Sequence, residues 1–160
     1  MAYQSFGIEI GGMFMRYTYV YLLEHIRLLD YDRYGSPINE IKTLGIFQKK
    51  ELAKEAISCF LNLPGFSQFP TGFNILKKRL YYANPNSEFV YIVKNEYYDC
   101  ENDYDVCTRC GFFDNIIDAE NYIETLRIRS PFKKRAGDFL IGEMVLDKID
   151  PFWADGFDYE

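Results

Sequence analysis

The chain has 160 residues, 48% hydrophobic, 18% aromatic and 26% charged, which suffices for one compact domain or two small ones and excludes a disordered chain. No apolar run approaches the roughly 20 residues of a membrane-spanning helix. The N-terminal stretch lacks a basic leader and carries Glu9 where a signal core would be apolar, so a cytoplasmic protein with four reduced cysteines is expected.

The net charge of −6 is uneven: residues 1–84 hold ten Lys/Arg against seven Asp/Glu, and residues 85–160 hold eight against seventeen. An acidic second half repels nucleic-acid phosphates and favours a basic partner, although solubility alone accounts for many acidic surfaces.

Residues 1–17 form an N-terminal extension with SFGIEI as a candidate edge strand. Thr18 to His25, TYVYLLEH, is β-branched and aromatic and predicts a strand. Ile26 to Asn39 contains Tyr31, Tyr34, Gly35, Ser36 and Pro37 and predicts a loop. Ile41 to Phe47 predicts a second strand, with Gly45 marking a bulge or close backbone approach. Leu52, Ala53, Ala56, Ile57 and Phe60 form one apolar stripe, which predicts a helix over Lys49 to Asn62. Pro64-Gly65 stops it, and Phe66, Phe69 and Phe73 are suited to plug the helix end against the sheet. Phe73 to Leu80 predicts a third strand.

After the linker Asn84–Ser87, the order returns. Phe89 to Tyr97 predicts a strand in which Val90-Tyr91 matches Val20-Tyr21, Asp99 to Asp105 an acidic loop, and Val106 to Phe113 another strand. Asp114 is placed to cap a helix whose stripe is Ala119, Tyr122, Ile123 and Leu126. Ser130-Pro131 ends it, Phe139 to Leu146 is the last strand, and PFWADGF follows. Residues 43–80 lie on residues 109–146 without a gap, with eight identities in 38 positions: Gly45/Gly111, Phe47/Phe113, Ala53/Ala119, Ile57/Ile123, Phe66/Phe132, Phe73/Phe139, Ile75/Ile141 and Leu80/Leu146. This predicts an α+β fold made of two tandem β-β-α-β repeats, residues 18–83 and 88–160. Each is expected to be a mainly antiparallel sheet with one covering helix, in a pseudo-twofold arrangement. The expected state is a monomer with internal pseudo-symmetry or a weak dimer.

VYLLEH, LGIF, ELAKEAI and PGFSQFPTGF resemble a family of small uncharacterised bacterial proteins. In that family a VYLL-H strand is followed by a G-I/V-Y strand, a helix, a doubled P-G-F turn and a D-x-W-x-x-G-F end. Here the ending comes only after the second repeat, as Phe152-Trp153-Ala154-Asp155-Gly156-Phe157, and SPFKKRAGDF replaces the doubled turn there. The resemblance implies a fold and no activity.

Four clusters could carry chemistry. Cys107-Thr108-Arg109-Cys110, with Cys100 nearby, has the spacing of a zinc half-site, but on a strand residues three apart face opposite sides. Asp99, Glu101, Asp103 and Asp105 alternate as in a calcium loop, but lack its glycine turn and late bidentate Glu. His25 is the one histidine, and any Ser-His-Asp or Cys-His site would need it. Asp30, Asp32, Glu40 and Lys42 echo the D…E-x-K arrangement in which two carboxylates hold a metal and a lysine helps activate water. Each pattern also has an ordinary structural explanation, so no catalytic residue, metal site or cofactor is assigned.

The remaining signal is a protein-binding surface. Tyr97, Tyr98 and Tyr104 stand beside Asp99, Glu101, Asp103 and Asp105, and tyrosine supplies contact area with a hydrogen bond at low entropic cost. The expectation is a non-enzymatic protein that binds another protein and neither nucleic acid nor membrane. An inhibitor or immunity protein covering a basic bacterial toxin fits best. A metal-dependent nuclease and a regulatory module are the alternatives.

Overall fold

The computed structural model describes residues 6–10, 13–84, 86–101, 103–135 and 137–159. In chain order they form β1 (Phe6–Ile10), β2 (Met13–Tyr31), β3 (Pro37–Phe47), α1 (Lys50–Ile57), β4 (Phe73–Tyr82), β5 (Phe89–Asp99), β6 (Tyr104–Phe113), α2 (Ile116–Arg127), β7 (Phe139–Val145) and β8 (Lys148–Ile149). Short 3-10 turns occupy Phe132–Arg135 and Pro151–Trp153. Hydrogen-bonded neighbours run β7-β5-β6-β4-β2-β3-β8, and β1 pairs with β2.

The expected α+β class, with two tandem β-β-α-β repeats in a pseudo-twofold arrangement, is therefore corrected. Strand makes up 50% and helix 18%, the strands share one hydrogen-bonded order, and α1 and α2 are the α-helices among the described residues. Two segments read as loops are loop only at their centres and strand at their ends. β2 continues to Tyr31 and pairs with β3 through Leu28↔Asn39 and Tyr31↔Pro37. Asp32 closes that hairpin, accepting from the Tyr34 and Ser36 amides at 2.9 and 2.8 Å, and Gly35 supplies a positive φ of 82°. Likewise β5 and β6 pair out to Asp99↔Tyr104. The first helix is shorter than its stripe suggested, because after Ile57 the chain passes into turns. Asp114 does not cap α2. Asn115 does, accepting from the Ile117 and Asp118 amides, while Asp114 accepts from the Ala83 and Asn84 amides at 2.7 and 3.0 Å.

The chain divides into two compact units, neither contiguous in sequence. One comprises Met1–Tyr19 with Arg79–Met144; the other comprises Val20–Lys78 with Val145–Glu160. Each has its own core. In the second, Leu23, Leu44, Phe47, Ala53, Ala56, Phe60 and Phe66 are buried together, with Phe73, Trp153 and Phe157 packed on them. In the first, Met15, Val93, Phe113, Ala119, Ile123 and Leu126 are buried, with Tyr91, Phe132 and Phe139 alongside.

Residues spaced by 70 on one strand and by 66 on its partner make like strand pairings. Tyr21↔Phe47, Leu22↔Ile46 and Leu23↔Gly45 are followed by a register shift, as are Tyr91↔Phe113, Ile92↔Phe112 and Val93↔Gly111. A Cβ on Gly45 would lie 2.7 Å from the Phe47 ring, and one on Gly111 would lie 2.8 Å from the Phe113 ring. Each glycine makes room for the phenylalanine two residues on, which lies on the same face of the strand.

Phe66 is fully buried, whereas Ile57 lies at the margin of the same core. Phe66→Ala should cost ~3–5 kcal/mol and Ile57→Ala less. Urea unfolding checks this, and a Phe66→Ala midpoint equal to that of the parent protein would refute the core assignment.

Candidate functional site

The acidic and aromatic residues singled out from the sequence lie at the end of the β5–β6 hairpin, divided between its faces. Directly paired residues share a face, so Tyr98↔Asp105 and Glu96↔Cys107 lie on one side, and Tyr97↔Val106 and Asp99↔Tyr104 on the other. Asp99 organises the turn: its carbonyl accepts from the Asp103 amide at 2.8 Å and its carboxylate from the Glu101 amide at 3.0 Å. Asp103 adopts φ 61°, and the Tyr98 hydroxyl donates to its carboxylate, which pushes the phenol upward in pKa. Tyr98, Glu101, Asp103 and Asp105 are exposed; Tyr97, Asp99 and Tyr104 are half-buried. A shallow groove of about 490 Å³ runs along the hairpin, lined by Glu96, Tyr97, Tyr98, Asp105, Val106 and Cys107. Glu96 and Cys107 were missed as members of this face. Counting back in twos from Tyr98 along the strand would have found Glu96.

The cysteines do not converge. Cys100 and Cys107 are exposed, while Cys110 packs against the core of its unit. Partial desolvation of the sulfur by its neighbours, with Glu96 beside it, pushes the Cys107 thiol up although the residue is exposed, and burial does the same to Cys110, which is the opposite of what a nucleophilic thiolate needs. Among the described residues no group of three His, Cys, Asp or Glu is placed to hold a metal ion. Asp30 and Asp32 serve the backbone of the β2–β3 turn, Asp30 accepting from the Tyr31 amide at 2.7 Å.

The second polar cluster lies inside the unit of Val20–Lys78 and Val145–Glu160. Cross-strand pairing sets His25 opposite Lys42 and Arg27 opposite Glu40. Arg27 donates through Nε and Nη2 to one Glu40 oxygen at 3.0 and 2.5 Å. Lys42, 3% exposed, ion-pairs with the other Glu40 oxygen but makes no well-formed hydrogen bond. Its ammonium sits 3.9 Å from the centre of the Phe157 ring and 5.5 Å from that of Trp153, close enough for cation–π attraction. His25 is fully buried; its Nε2–H donates to the Phe69 carbonyl at 2.8 Å, and Nδ1 has no partner among the described residues. Phe66 and Phe73 pack edge-on to the imidazole at 5.1 and 5.0 Å.

Burial lowers the His25 pKa, and Lys42 and Arg27 lower it further, against the Phe69 hydrogen bond. The imidazole is therefore neutral in the core and closed to solvent, which suits a structural part and not acid–base catalysis.

Comparison with protein-family models, with curated proteins and with solved structures finds no match. Among the described residues no helix is long and apolar enough to cross a membrane.

Since the folded pKa of His25 lies below 6.5, the unfolded chain takes up a proton that the folded one refuses. Stability should fall as pH drops below that value. His25→Gln keeps a donor for Phe69 but does not titrate. Between about pH 7 and about pH 5 its urea midpoint should fall less than that of the parent protein, and equal losses would contradict the assignment.

Proposed function

We propose that this is a non-enzymatic protein that acts by binding another protein, with the end of the β5–β6 hairpin as the face for a basic partner. The observation that carries this reading is where the ionisable groups sit. Glu101, Asp103 and Asp105 are exposed at the hairpin end beside the half-exposed Tyr98. The residues with chemical potential, His25 and Lys42, are shut inside a core. Exposed carboxylates beside an aromatic ring favour steering and docking of a cationic surface, as an inhibitor or immunity protein of a basic toxin requires. Cytoplasmic location belongs to the same proposal.

A metal-dependent nuclease using Asp30, Asp32, Glu40 and Lys42 has less support. Asp30 and Asp32 are taken up by turn amides, and Lys42 is buried against aromatic rings. The motifs that carry the resemblance to single-unit bacterial proteins fall in the unit of Val20–Lys78 and Val145–Glu160. It collects VYLLEH, LGIF, ELAKEAI and the doubled turn from residues 20–73 with the FWADGF ending from far along the chain.

The test replaces Asp99, Asp103 and Asp105 by Asn and Glu101 by Gln. The on-rate for the captured basic partner at low salt should fall roughly tenfold or more, with the difference shrinking at high salt. Stability should change little. Unchanged on-rates at low salt would return the hairpin end to a solvated turn.

A further inference from the structure

The C-terminal segment, residues 150–159, is held onto its unit at separate points. The Asp150 amide donates to the Leu44 carbonyl at 2.7 Å, Trp153 Nε1–H to the Thr43 carbonyl at 3.1 Å, and the Phe157 amide to the Pro64 carbonyl at 2.9 Å. The last bond joins two tight turns, with Gly156 at φ 80° and Gly65 at φ 81°. Between these points the Phe157 ring covers Lys42, packs edge-on to Phe66 at 4.9 Å, and lies 5.7 Å from His25.

We propose that residues 150–159 form a strap whose closure over β3 is governed by the charge on Lys42, and that it closes more firmly when that ammonium loses its proton. Several groups face or adjoin Lys42. β2 contributes His25 and Arg27, and β3 itself contributes Glu40. The 64–72 loop presents the Phe66 and Phe69 rings, and the strap brings Tyr159 against Phe69, with Asp155 and Asp158 flanking Phe157 in sequence. Two cations thus share one carboxylate under an apolar cover. The ring faces and Glu40 hold the charged strap shut, while loss of water and repulsion from Arg27 oppose it.

Burial first, and Arg27 second, lower the Lys42 pKa from 10.5 to about 8. Opening the strap returns the ammonium to water and toward its ordinary value. Between these two values the open form binds more protons than the closed one, so rising pH favours closure. For a fully re-solvated Lys42 the closing equilibrium strengthens about tenfold between about pH 7 and about pH 9.

Hydrogen exchange of the Phe157 amide reports closure directly, because its bond to Pro64 exists only in the closed form. Its protection factor, which removes the intrinsic pH dependence of exchange, should rise about tenfold over that interval in the parent protein. It should be high and pH-independent in Lys42→Met. A flat parent profile, or a Lys42→Met profile that rises with it, overturns the proposal. A second measurement does not depend on Lys42→Met folding. The Lys42 side-chain NMR shift should titrate near pH 8 in the parent protein and at higher pH in Phe157→Ala. Equal midpoints in the two proteins overturn the proposal as well.

Discussion

One hydrogen bond organises the unit formed by Val20–Lys78 and Val145–Glu160: the bond from His25 Nε2–H to the Phe69 carbonyl. His25 is fully buried among aromatic rings, so its donor has no water to turn to and the bond fixes where the 64–72 loop lies against β2. A second bond, from the Ile26 amide to the Gly72 carbonyl at 2.8 Å, holds the far end of the loop. Gly72 is required there, because a Cβ would lie 2.5 Å from His25 Nε2. The loop so placed offers the Pro64 carbonyl and the Phe66 and Phe69 rings to the C-terminal segment. In the other unit the Glu96 amide makes the corresponding bond to the Asp138 carbonyl at 3.0 Å, but Asn95 stands where His25 would be.

The local parts of the fold were legible in the sequence for reasons of packing. Gly45 announced a close approach, and both it and its counterpart Gly111 lie beside a phenylalanine ring. The apolar stripes marked buried positions, since Ala53, Ala56, Ala119, Ile123 and Leu126 are buried on α1 and α2. Hairpin length was not legible. Gly35-Ser36-Pro37 signals a turn but says nothing about how far the flanking strands stay paired, and the exposed arms of a hairpin carry no inward-facing pattern. Losing those arms to loop is what tilted the expected class away from a mainly β protein.

The buried polar site was less legible than the exposed one. A lysine between Ile41 and Thr43 on a strand reads as solvent-facing, and its cover comes from Trp153 and Phe157, more than a hundred residues on. The acidic residues at the hairpin end were plain from composition, but their division between two faces depends on strand register. Register placed Glu96 and Cys107 with Tyr98 and Asp105, and set Tyr97, Asp99 and Tyr104 apart.

Because each unit is assembled from two separated stretches of chain, folding cannot follow synthesis from one end to the other. The stretch Val20–Lys78 leaves the ribosome with its aromatic cradle uncovered, and Val145–Glu160, which supplies Trp153 and Phe157, emerges only after most of the other unit has been made. Pairings this distant in sequence close late and slowly. During that interval the exposed rings and open strand edges are the surfaces a chaperone would recognise and on which nascent chains would associate.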